Sequence, residues 1–467
     1  MYDINGDSNN SNNNSSNNND NGNNKSGQGP RVMIVGPPEC GKTTLAKTLV
    51  AYACKVGRTP LMVDLDPVDN TISVPGALAV APMHQSAVAV ETYATTGLPV
   101  NGGGVSGPIS GNGNNSNNNN NSSTTTVHPL VVYHGSTGKI HPDLFRGQVD
   151  SLAEHIEKRL QADEMARASG IIVNTNGWIR DEGYDCLLHA AKALKITVLL
   201  ILGHDRLYSM LTSHYKKQQK QQEEAAAAAA AAGTTGTTTD DGTMAMASAA
   251  SGAPPPPPKI LKLPRSGGVV SRPSRFVASC RSRAVKRYFY GDLVTDPNNN
   301  SALGGDNADN DASATTSNSI GGAAGADSSG ATKPYRLVNQ LTPFAIQLPF
   351  GETKIYKVSS MALSNSLLPV NAAHQSTDAI QLVEIDIVGD PEAAKGLQHS
   401  LLAACHPSAV AVYEQTGKGR DLVTAGVAGF CAVDKVVTET DQLHLLSPCA
   451  GGLPSKTFLV GDITWME

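Results

Sequence analysis

Short apolar runs alternate with amphipathic stretches through the first part of the chain. The runs lie at 32–35, 59–65, 129–135, 169–173 and 196–202, and the stretch at 144–159 has helical spacing of its apolar residues. Runs of Val, Ile and Leu without polar alternation are typical of parallel strands that are buried on both faces. The pattern therefore predicts an α/β fold in which helices cover both faces of a parallel sheet.

The pattern changes at Pro334. From there to the end of the chain, short alternating segments are separated by Gly and Pro turns. Alternation with a period of two is typical of strands that bury one face. We therefore predict a second, smaller β-rich domain over 334–467, folded as a barrel or a sandwich.

Four tracts carry almost no residues that could build a core. They consist mainly of Asn, Ser, Gly, Thr, Ala or Pro and lie at 1–30, 101–126, 217–258 and 294–333. Such composition predicts disorder. The predicted organisation is an Asn-rich tract to residue 30, an α/β domain over 31–293 with insertions at 101–126 and 217–258, a linker over 294–333, and the β-rich domain.

Charge and cysteine content restrict the classes of function. The formal net charge of −5 excludes a protein that coats nucleic acid through overall basicity, yet the stretch from Lys259 to Gly291 holds nine Lys and Arg residues and no acid. Such a segment is suited to binding anions. Seven cysteines without a C-x-x-C pair indicate a reducing compartment and no zinc site. The start of the chain resembles no secretory signal, and no apolar run approaches ~20 residues, so we expect no membrane span and a nuclear or cytoplasmic location.

One motif carries specific chemistry. Gly36-x-x-x-x-Gly41-Lys42-Thr43 follows an apolar strand and precedes a helical pattern, which is the context of a phosphate-binding P-loop. Its backbone N–H groups and the helix N-terminus attract phosphate, the lysine reaches the β- and γ-phosphates, and the threonine hydroxyl can bind Mg²⁺. The predicted nucleotide-binding residues are Gly36, Glu39, Cys40, Gly41, Lys42, Thr43 and Thr44.

Three classes of protein share this loop. A GTPase switch needs an N-K-x-D element and a mechanical ATPase a Glu after the second strand, and neither is found at a suitable strand end. A phosphotransferase needs an acid near the γ-phosphate and a cationic flap. Asp66 can be that acid, or it can only hold Mg²⁺ through water. The basic stretch, with Arg272 and Arg281, can be the flap or a solvated helix face. Trp178, after the fourth strand, can be a core residue or a platform for a base.

Together these segments resemble a known family. The order VGPPECGKTT, LMVDLDP, PLVVYHG, NTNGW, DRLY, LPRSGGVVSR, RYFYG and FLVGDITW is similar to that of polynucleotide 5′-hydroxyl kinases, and within them to the ATP-binding subunit of the pre-mRNA cleavage factor. The resemblance covers nearly everything outside the low-complexity tracts. It implies ATP and Mg²⁺ as cofactors, with Thr43 and Asp66 at the metal and Lys42, Asp66 and Arg281 as catalytic residues.

The resemblance also implies partners and a location. Thr175, Trp178 and Arg272 would bind the 5′ end of an RNA, a scaffold subunit of the cleavage factor would dock on the protein, and the protein would be nuclear. Two functions stay open. One is an ATP-binding subunit that acts in mRNA 3′-end processing and polyadenylation; the other is an active RNA 5′-hydroxyl kinase in tRNA splicing or RNA repair, with the tRNA-splicing endonuclease as partner.

The sequence departs from the family pattern in three places. The Asn-rich tract stands where family members carry a β-rich domain, Asp69 replaces a neutral amide, and Gly203 stands where relatives often have Asp. We expect an anionic side chain near phosphate to weaken turnover.

Overall fold

The computed structural model describes residues 27–83, 129–138, 140–232, 256–291, 293–295, 337–339, 341–359 and 381–466. The predicted disordered insertion at 101–126 lies outside these residues, as do most of the N-terminal tract and most of the linker.

The first domain contains a seven-stranded sheet in the order β4-β3-β2-β5-β1-β6-β7. Its strands are β1 Arg31–Val35, β2 Leu61–Leu65, β3 Ala77–Pro82, β4 Leu130–Tyr133, β5 Ile171–Thr175, β6 Val198–Leu202 and β7 Lys259–Leu263. All five predicted strands are present and buried, which confirms the α/β class.

Two strands differ from the sequence interpretation. β3 was not predicted, and it pairs antiparallel with both β2 and β4, so the sheet is mixed. No helix lies between β2 and β3, and a direct return of the chain favours antiparallel pairing because a parallel neighbour needs a crossover connection. β7 forms the start of the basic stretch and pairs parallel with β6. The first five residues of the basic stretch are therefore an edge strand, and only the residues after Leu263 can form a flap.

Helices cover both faces of this sheet. They are α1 Lys42–Lys55, α2 Pro142–Ala162, α3 Glu164–Ser169, α4 Glu182–Ala193, α5 Asp205–Ala232 and α6 Ser274–Tyr290. α5 continues to Ala232, so the prediction of disorder from residue 217 is wrong for the first part of that tract. Gln, Glu and Ala are good helix formers, which explains the extension. None of the helices in the described residues is both long and apolar enough to cross a membrane.

The C-terminal domain is built on a second seven-stranded sheet, in the order β10-β15-β14-β13-β16-β11-β12. A two-stranded sheet of β8 Leu293–Thr295 and β9 Leu337–Asn339 precedes it. The strands of the seven-stranded sheet are β10 Phe344–Pro349, β11 Lys354–Ser359, β12 Gln381–Glu384, β13 Ser400–Cys405, β14 Val427–Val437, β15 Gln442–Ser447 and β16 Thr457–Thr464. A 3-10 turn, Phe350–Glu352, and three short helices, α7 Pro391–Lys395, α8 Pro407–Thr416 and α9 Gly419–Val423, complete it. In the described residues the sheet is open, with β10 and β12 at its edges, so the expected barrel or sandwich is wrong.

The two domains share one hydrophobic core. Buried residues of α1, of the first sheet, of α6 and of the second sheet belong to a single contiguous cluster. At the junction the backbones nearly touch, because the Asp462 N–H donates to the Gly135 carbonyl at 2.7 Å. A Cβ on Gly461 would lie 1.8 Å from that carbonyl oxygen, so only glycine fits. The last strand is therefore fixed against the first domain.

Candidate phosphate-binding site

The P-loop connects β1 to α1 and has the shape of a phosphate cradle. Gly41 has a φ of +94° and Glu39 a φ of +55°, so the loop makes two left-handed steps before the helix begins. A Cβ on Gly36 would lie 2.8 Å from Cys40 Sγ, which explains the glycine there. Cys40 itself is buried, and Thr44 is exposed in the first turn of α1.

Lys42 folds back over the loop. Its Nζ donates to the Pro37 carbonyl at 2.8 Å, and its side chain is buried. Burial lowers the pKa of this ammonium group. A cation held in partial desolvation at this point interacts strongly with a phosphate that replaces the carbonyl as its partner.

A buried carboxylate organises the end of β2. Asp64 accepts hydrogen bonds from the Thr71 N–H at 2.9 Å, from its hydroxyl at 2.7 Å, from the Asp66 N–H at 3.1 Å and from Asn174 Nδ2 at 3.0 Å. Burial raises the pKa of Asp64, although these donors act in the opposite direction. The side chain is thus a structural anchor that fixes β2, β5 and the loop after β2 together.

Asp66 lies at the predicted position, on the same sheet edge as Lys42. It is half-buried, and its Oδ1 accepts the Val68 N–H at 3.0 Å. Burial, followed by the charges of Asp64 and Asp69, raises the pKa of Asp66 to about 7, while Lys42 opposes this. A carboxylate in this environment can accept a proton near neutral pH.

Asn174 lies beside Thr43, whose hydroxyl is predicted to bind Mg²⁺. Asn174 Nδ2 lies 3.4 Å from Thr43 Oγ1, and Asn174 Oδ1 is buried without a hydrogen-bond partner among the described residues. Mg²⁺ prefers oxygen ligands and keeps several waters, and such a water can donate to this orphaned oxygen. In the described part of the chain no group of three or more His, Cys, Asp or Glu side chains could hold a metal ion. Magnesium here would therefore depend on the phosphates as well as on Thr43 and Asp66.

The basic stretch does cover the P-loop. We call residues 264–273 the lid loop and α6 the lid helix. In the lid loop, the Ser271 hydroxyl donates to Glu39 Oε2 at 2.8 Å and the Arg272 N–H donates to Glu39 Oε1 at 2.7 Å. The backbone hydrogen bond from Arg272, followed by the hydroxyl hydrogen bond from Ser271, lowers the pKa of Glu39. Val269 Cγ2 would lie 3.2 Å from a Cβ on Gly41, so the lid loop rests on the P-loop itself.

Asp69 pairs with both predicted lid arginines. Its Oδ2 lies 3.5 Å from Arg272 Nη2 and its Oδ1 lies 3.3 Å from Arg281 Nε, and all three side chains are about 30% exposed. The carboxylate therefore stands between the two cations that the sequence assigns to a transferred phosphate.

Gly203 is also explained by the lid. Its φ is +59°, its N–H donates to the Leu263 carbonyl at 2.9 Å, and a Cβ would lie 3.1 Å from Arg265 Cβ. An Asp at this position would be strained and would crowd the start of the lid loop.

The lid helix is anchored at its other end in the C-terminal domain. The Tyr288 hydroxyl accepts the Phe430 N–H at 3.0 Å, and the Phe289 ring stacks on Trp465 with centroids 5.4 Å apart and an interplanar angle of 15°. These residues are buried. The lid is therefore continuous with the shared core.

The two residues predicted on the β5 edge take different positions. The Thr175 hydroxyl donates to the Ile34 carbonyl at 2.8 Å and is buried. It therefore connects strands β5 and β1 and does not point towards a site for RNA. Trp178 is half-buried, packs on the hydrophobic cluster beneath α4, and lines a cavity together with Pro37 and Pro38. One part of the ring is therefore core and another part is cavity wall, and its use as a platform for a base stays a prediction.

Sequence reasoning missed Asn174 and the role of Asp69 as a lid partner. Asn174 ends a strand next to the P-loop strand, and that position was the available signal. The pairing of Asp69 joins residues more than 200 positions apart, and no local pattern encodes it.

Two family models match the chain in sequence order. The model described as mRNA cleavage and polyadenylation factor CLP1 P-loop matches residues 36–230, and the model described as Pre-mRNA cleavage complex II protein Clp1 matches residues 341–467.

Relatives and solved structures agree with these models. A protein of Dictyostelium discoideum named Protein CLP1 homolog is 28% identical over 94% of this chain and 68% of its own length. A protein of Danio rerio named Polyribonucleotide 5'-hydroxyl-kinase Clp1 is 24% identical over 94% of this chain and 72% of its own length. Two solved structures of Clp1p–Pcf11p complexes share the fold with TM-scores of 0.60 and 0.58 at 20% and 19% identity, and cover 95% of this chain and 77% and 76% of theirs. One of them is described as explaining ATP loss in a point mutant.

The resemblance that the motifs indicated is thereby confirmed for both folded parts, and the protein belongs to the Clp1 family of pre-mRNA cleavage complex proteins.

Proposed function

We propose that this protein is an ATP-holding subunit of a pre-mRNA cleavage complex that acts in the nucleus in mRNA 3′-end processing and polyadenylation. The observation that carries the proposal is the closed lid: Ser271 and Arg272 bond to Glu39 of the P-loop, and α6 is fixed in the C-terminal domain. A nucleotide beneath this lid would contact the P-loop and a lid whose helix is anchored in the C-terminal domain. Its occupancy would therefore stabilise the form that a partner recognises.

The residues of the site have distinct roles in this proposal. The backbone from Gly36 to Thr44 surrounds the phosphates, Lys42 neutralises them, and Arg272 and Arg281 contact them from above. Thr43 and Asp66 would hold Mg²⁺, which would neutralise part of the phosphate charge. Glu39 keeps the lid loop in place and takes no part in binding phosphate.

The proposed partner is a scaffold subunit of the cleavage factor. The solved neighbours are complexes of Clp1p with Pcf11p, and they share the fold of both domains. A protein of the Pcf11 kind is therefore the first partner to test.

A second candidate function is transfer of the ATP γ-phosphate to an RNA 5′-hydroxyl, in tRNA splicing or RNA repair with the tRNA-splicing endonuclease as partner. Two features favour this function. Asp66 lies on the same sheet edge as Lys42, and the cavity lined by Trp178 opens beside Pro37 and Pro38 of the P-loop. In this reaction Asp66 takes the proton of the 5′-hydroxyl, the new bond forms to the γ-phosphorus, the bond to the β–γ bridging oxygen breaks, and ADP leaves.

One experiment separates the two. The purified protein is incubated with γ-labelled ATP, Mg²⁺ and a 5′-hydroxyl RNA oligonucleotide and then passed through a gel-filtration column. Label that stays with the protein, with none on RNA, supports the ATP-holding function. Label on RNA supports the kinase, and Asp66→Asn should then lower transfer by ~10²–10⁴ with little effect on ATP retention. Absence of label from both would contradict both functions.

A further inference from the structure

A groove extends from the P-loop along the edge where β5 and β6 end. It consists of two adjoining cavities of about 320 and 340 Å³ that share Ile179, Arg180 and His204 as lining residues. The inner cavity reaches Pro37, Pro38 and Trp178, and the outer cavity reaches Arg206 and Met210. Each volume lies at the lower end of the range for small-ligand pockets, roughly 300–1,000 Å³, so each suits one nucleotide-sized group.

The groove is lined by cations that the rest of the protein leaves available. Arg180 and Arg206 are exposed, and neither guanidinium forms an ion pair or hydrogen bond with another described residue. The acid beside Arg206 in sequence, Asp205, is instead paired with Lys262 on β7. Asp181 is the acidic member of the lining and is exposed. The groove therefore offers two unpaired guanidinium groups against one solvated carboxylate.

His204 adds a neutral donor between them. Its Nδ1 accepts the Leu207 N–H at 2.9 Å and so caps α5, which leaves the ring proton on Nε2. Trp178, at the inner end, offers part of an indole ring that is not packed in the core. An aromatic face followed by fixed cations is the arrangement by which proteins hold a single nucleic-acid strand.

We propose that this groove holds the acceptor RNA from its first base onward. Trp178 stacks on the base nearest the P-loop, and Arg180 and Arg206 pair with the phosphates that follow, so the strand leaves along the ends of β5 and β6. The inference rests on the proposed use of an RNA 5′ end at this site. It adds a direction for the strand and two phosphate contacts that do not touch the transferred group.

The test measures binding of 3′-labelled 5′-hydroxyl oligoribonucleotides of one, two and four nucleotides by fluorescence anisotropy between 50 and 200 mM KCl. The variant is Arg180→Gln with Arg206→Gln, and the matched control is Arg58→Gln with Arg159→Gln, which removes the same charge outside the groove. For a single strand each lost phosphate contact lowers the salt slope by about 0.7, so we expect the slope for the tetranucleotide to fall by about 1.4 in the variant and to stay near the wild-type value in the control. Affinity for the single nucleotide should change less than affinity for the tetranucleotide.

Two further probes separate this inference from neighbouring ones. An abasic tetranucleotide keeps the phosphates but cannot stack on Trp178, and it should bind more weakly than the intact strand. A hexaglutamate peptide that binds as tightly as RNA, and loses affinity in the same variant, would overturn the assignment to RNA in favour of an acidic protein segment.

The failures are distinguishable. Suppose that the wild-type protein binds the tetranucleotide, and that the variant, whose thermal melt shows it to be folded, keeps the same salt slope. The groove is then not the path of the strand, although the acceptor function stands. If the wild-type protein retains ATP but binds none of the RNAs, both the groove and the kinase function are wrong, and the ATP-holding function stands.

Discussion

The contact of Asp69 with the two lid arginines leads to a prediction for Asp69→Asn. The substitution keeps the size of the side chain and restores the neutral amide that the family pattern has at this position. It removes the charge that lies 3.5 Å from Arg272 Nη2 and 3.3 Å from Arg281 Nε. An amide oxygen can still accept one hydrogen bond, so the loss is electrostatic.

The magnitude follows from distance and exposure. At about 3.4 Å, each pair is worth roughly 5 kcal/mol at an effective dielectric constant of about 20, which is an upper bound. All three side chains are about 30% exposed, and ion pairs at such positions typically contribute at most about 1 kcal/mol each. The change is therefore about 1–2 kcal/mol for the two pairs, which corresponds to a factor of roughly 5–30 in an equilibrium.

The substitution should act in opposite directions on the empty and the occupied site. Without nucleotide the lid loop loses a restraint, so hydrogen exchange of the Arg272 amide, which donates to Glu39, should accelerate by about 5- to 30-fold. With ATP, the arginines no longer need to leave Asp69 before they reach phosphate. The dissociation constant for ATP should therefore fall by up to the same factor.

The assay is hydrogen exchange with mass spectrometry on the peptide that contains Arg272, together with calorimetric titration of ATP. The matched control is Asp143→Asn, which removes the carboxylate of a pair with Arg146 at 3.1 Å outside the site. It should change neither quantity. Weaker ATP binding in Asp69→Asn, or unchanged exchange at Arg272, would refute the reasoning that Asp69 competes with phosphate for the lid.

Three further changes probe the site and the domain junction. Lys42→Ala should abolish ATP uptake in calorimetry, and retained uptake would exclude Lys42 as the cation that binds phosphate. It should not lower the thermal midpoint, because the lysine is buried and that burial disfavours its charged form and lowers its pKa. Gly461→Ala should lower the free energy of unfolding by roughly 1–3 kcal/mol because the new Cβ meets the Gly135 carbonyl, whereas Gly452→Ala, which has open space around it, should not. Burial lowers the pKa of His134 from 6.5 to about 4. The contribution of the neutral ring to the free energy of unfolding is therefore complete above pH 6.5, and about 3 kcal/mol of it is lost as the pH falls towards 4. Urea unfolding of the wild-type protein and of His134→Gln should diverge between these pH values, and parallel pH dependences would contradict the prediction.

The local chemistry of the site could be predicted from the sequence because it is encoded locally. The P-loop needs a strand, two glycines, a lysine and a helix within fifteen residues, and all of these are found where the pattern places them. Asp66 follows for the same reason, since carboxyl ends of parallel strands meet at one edge of a sheet. The burial of Thr175 did not follow, because the direction of its hydroxyl depends on the neighbouring strand β1 and not on its own loop.

The parts that were missed depend on distant pairing. β3 is a short Ala-rich strand whose partners are β2 and β4, and the Pro75-Gly76 turn before it does not say with which strands it pairs. The C-terminal alternation indicates strands, but it does not say whether a sheet closes. Here two edge strands, β10 and β12, remain unpaired on one side in the described residues, and the sheet stays open.

The two anchors of the lid restrict how it can open. Arg281 and Phe289 are two turns apart on one helix, or roughly 12 Å, so a tilt of α6 that released Arg281 would also disturb the stack on Trp465. Such buried aromatic contacts are costly to break, whereas the lid loop is held by hydrogen bonds to the half-buried Glu39 carboxylate and by the partly exposed ion pair of Arg272 with Asp69. The less costly opening is therefore a movement of the lid loop with the lid helix fixed. It follows that nucleotide exchange can occur while the C-terminal domain keeps its place, and that a partner bound across both domains would slow the exchange only if it also contacts residues 264–273.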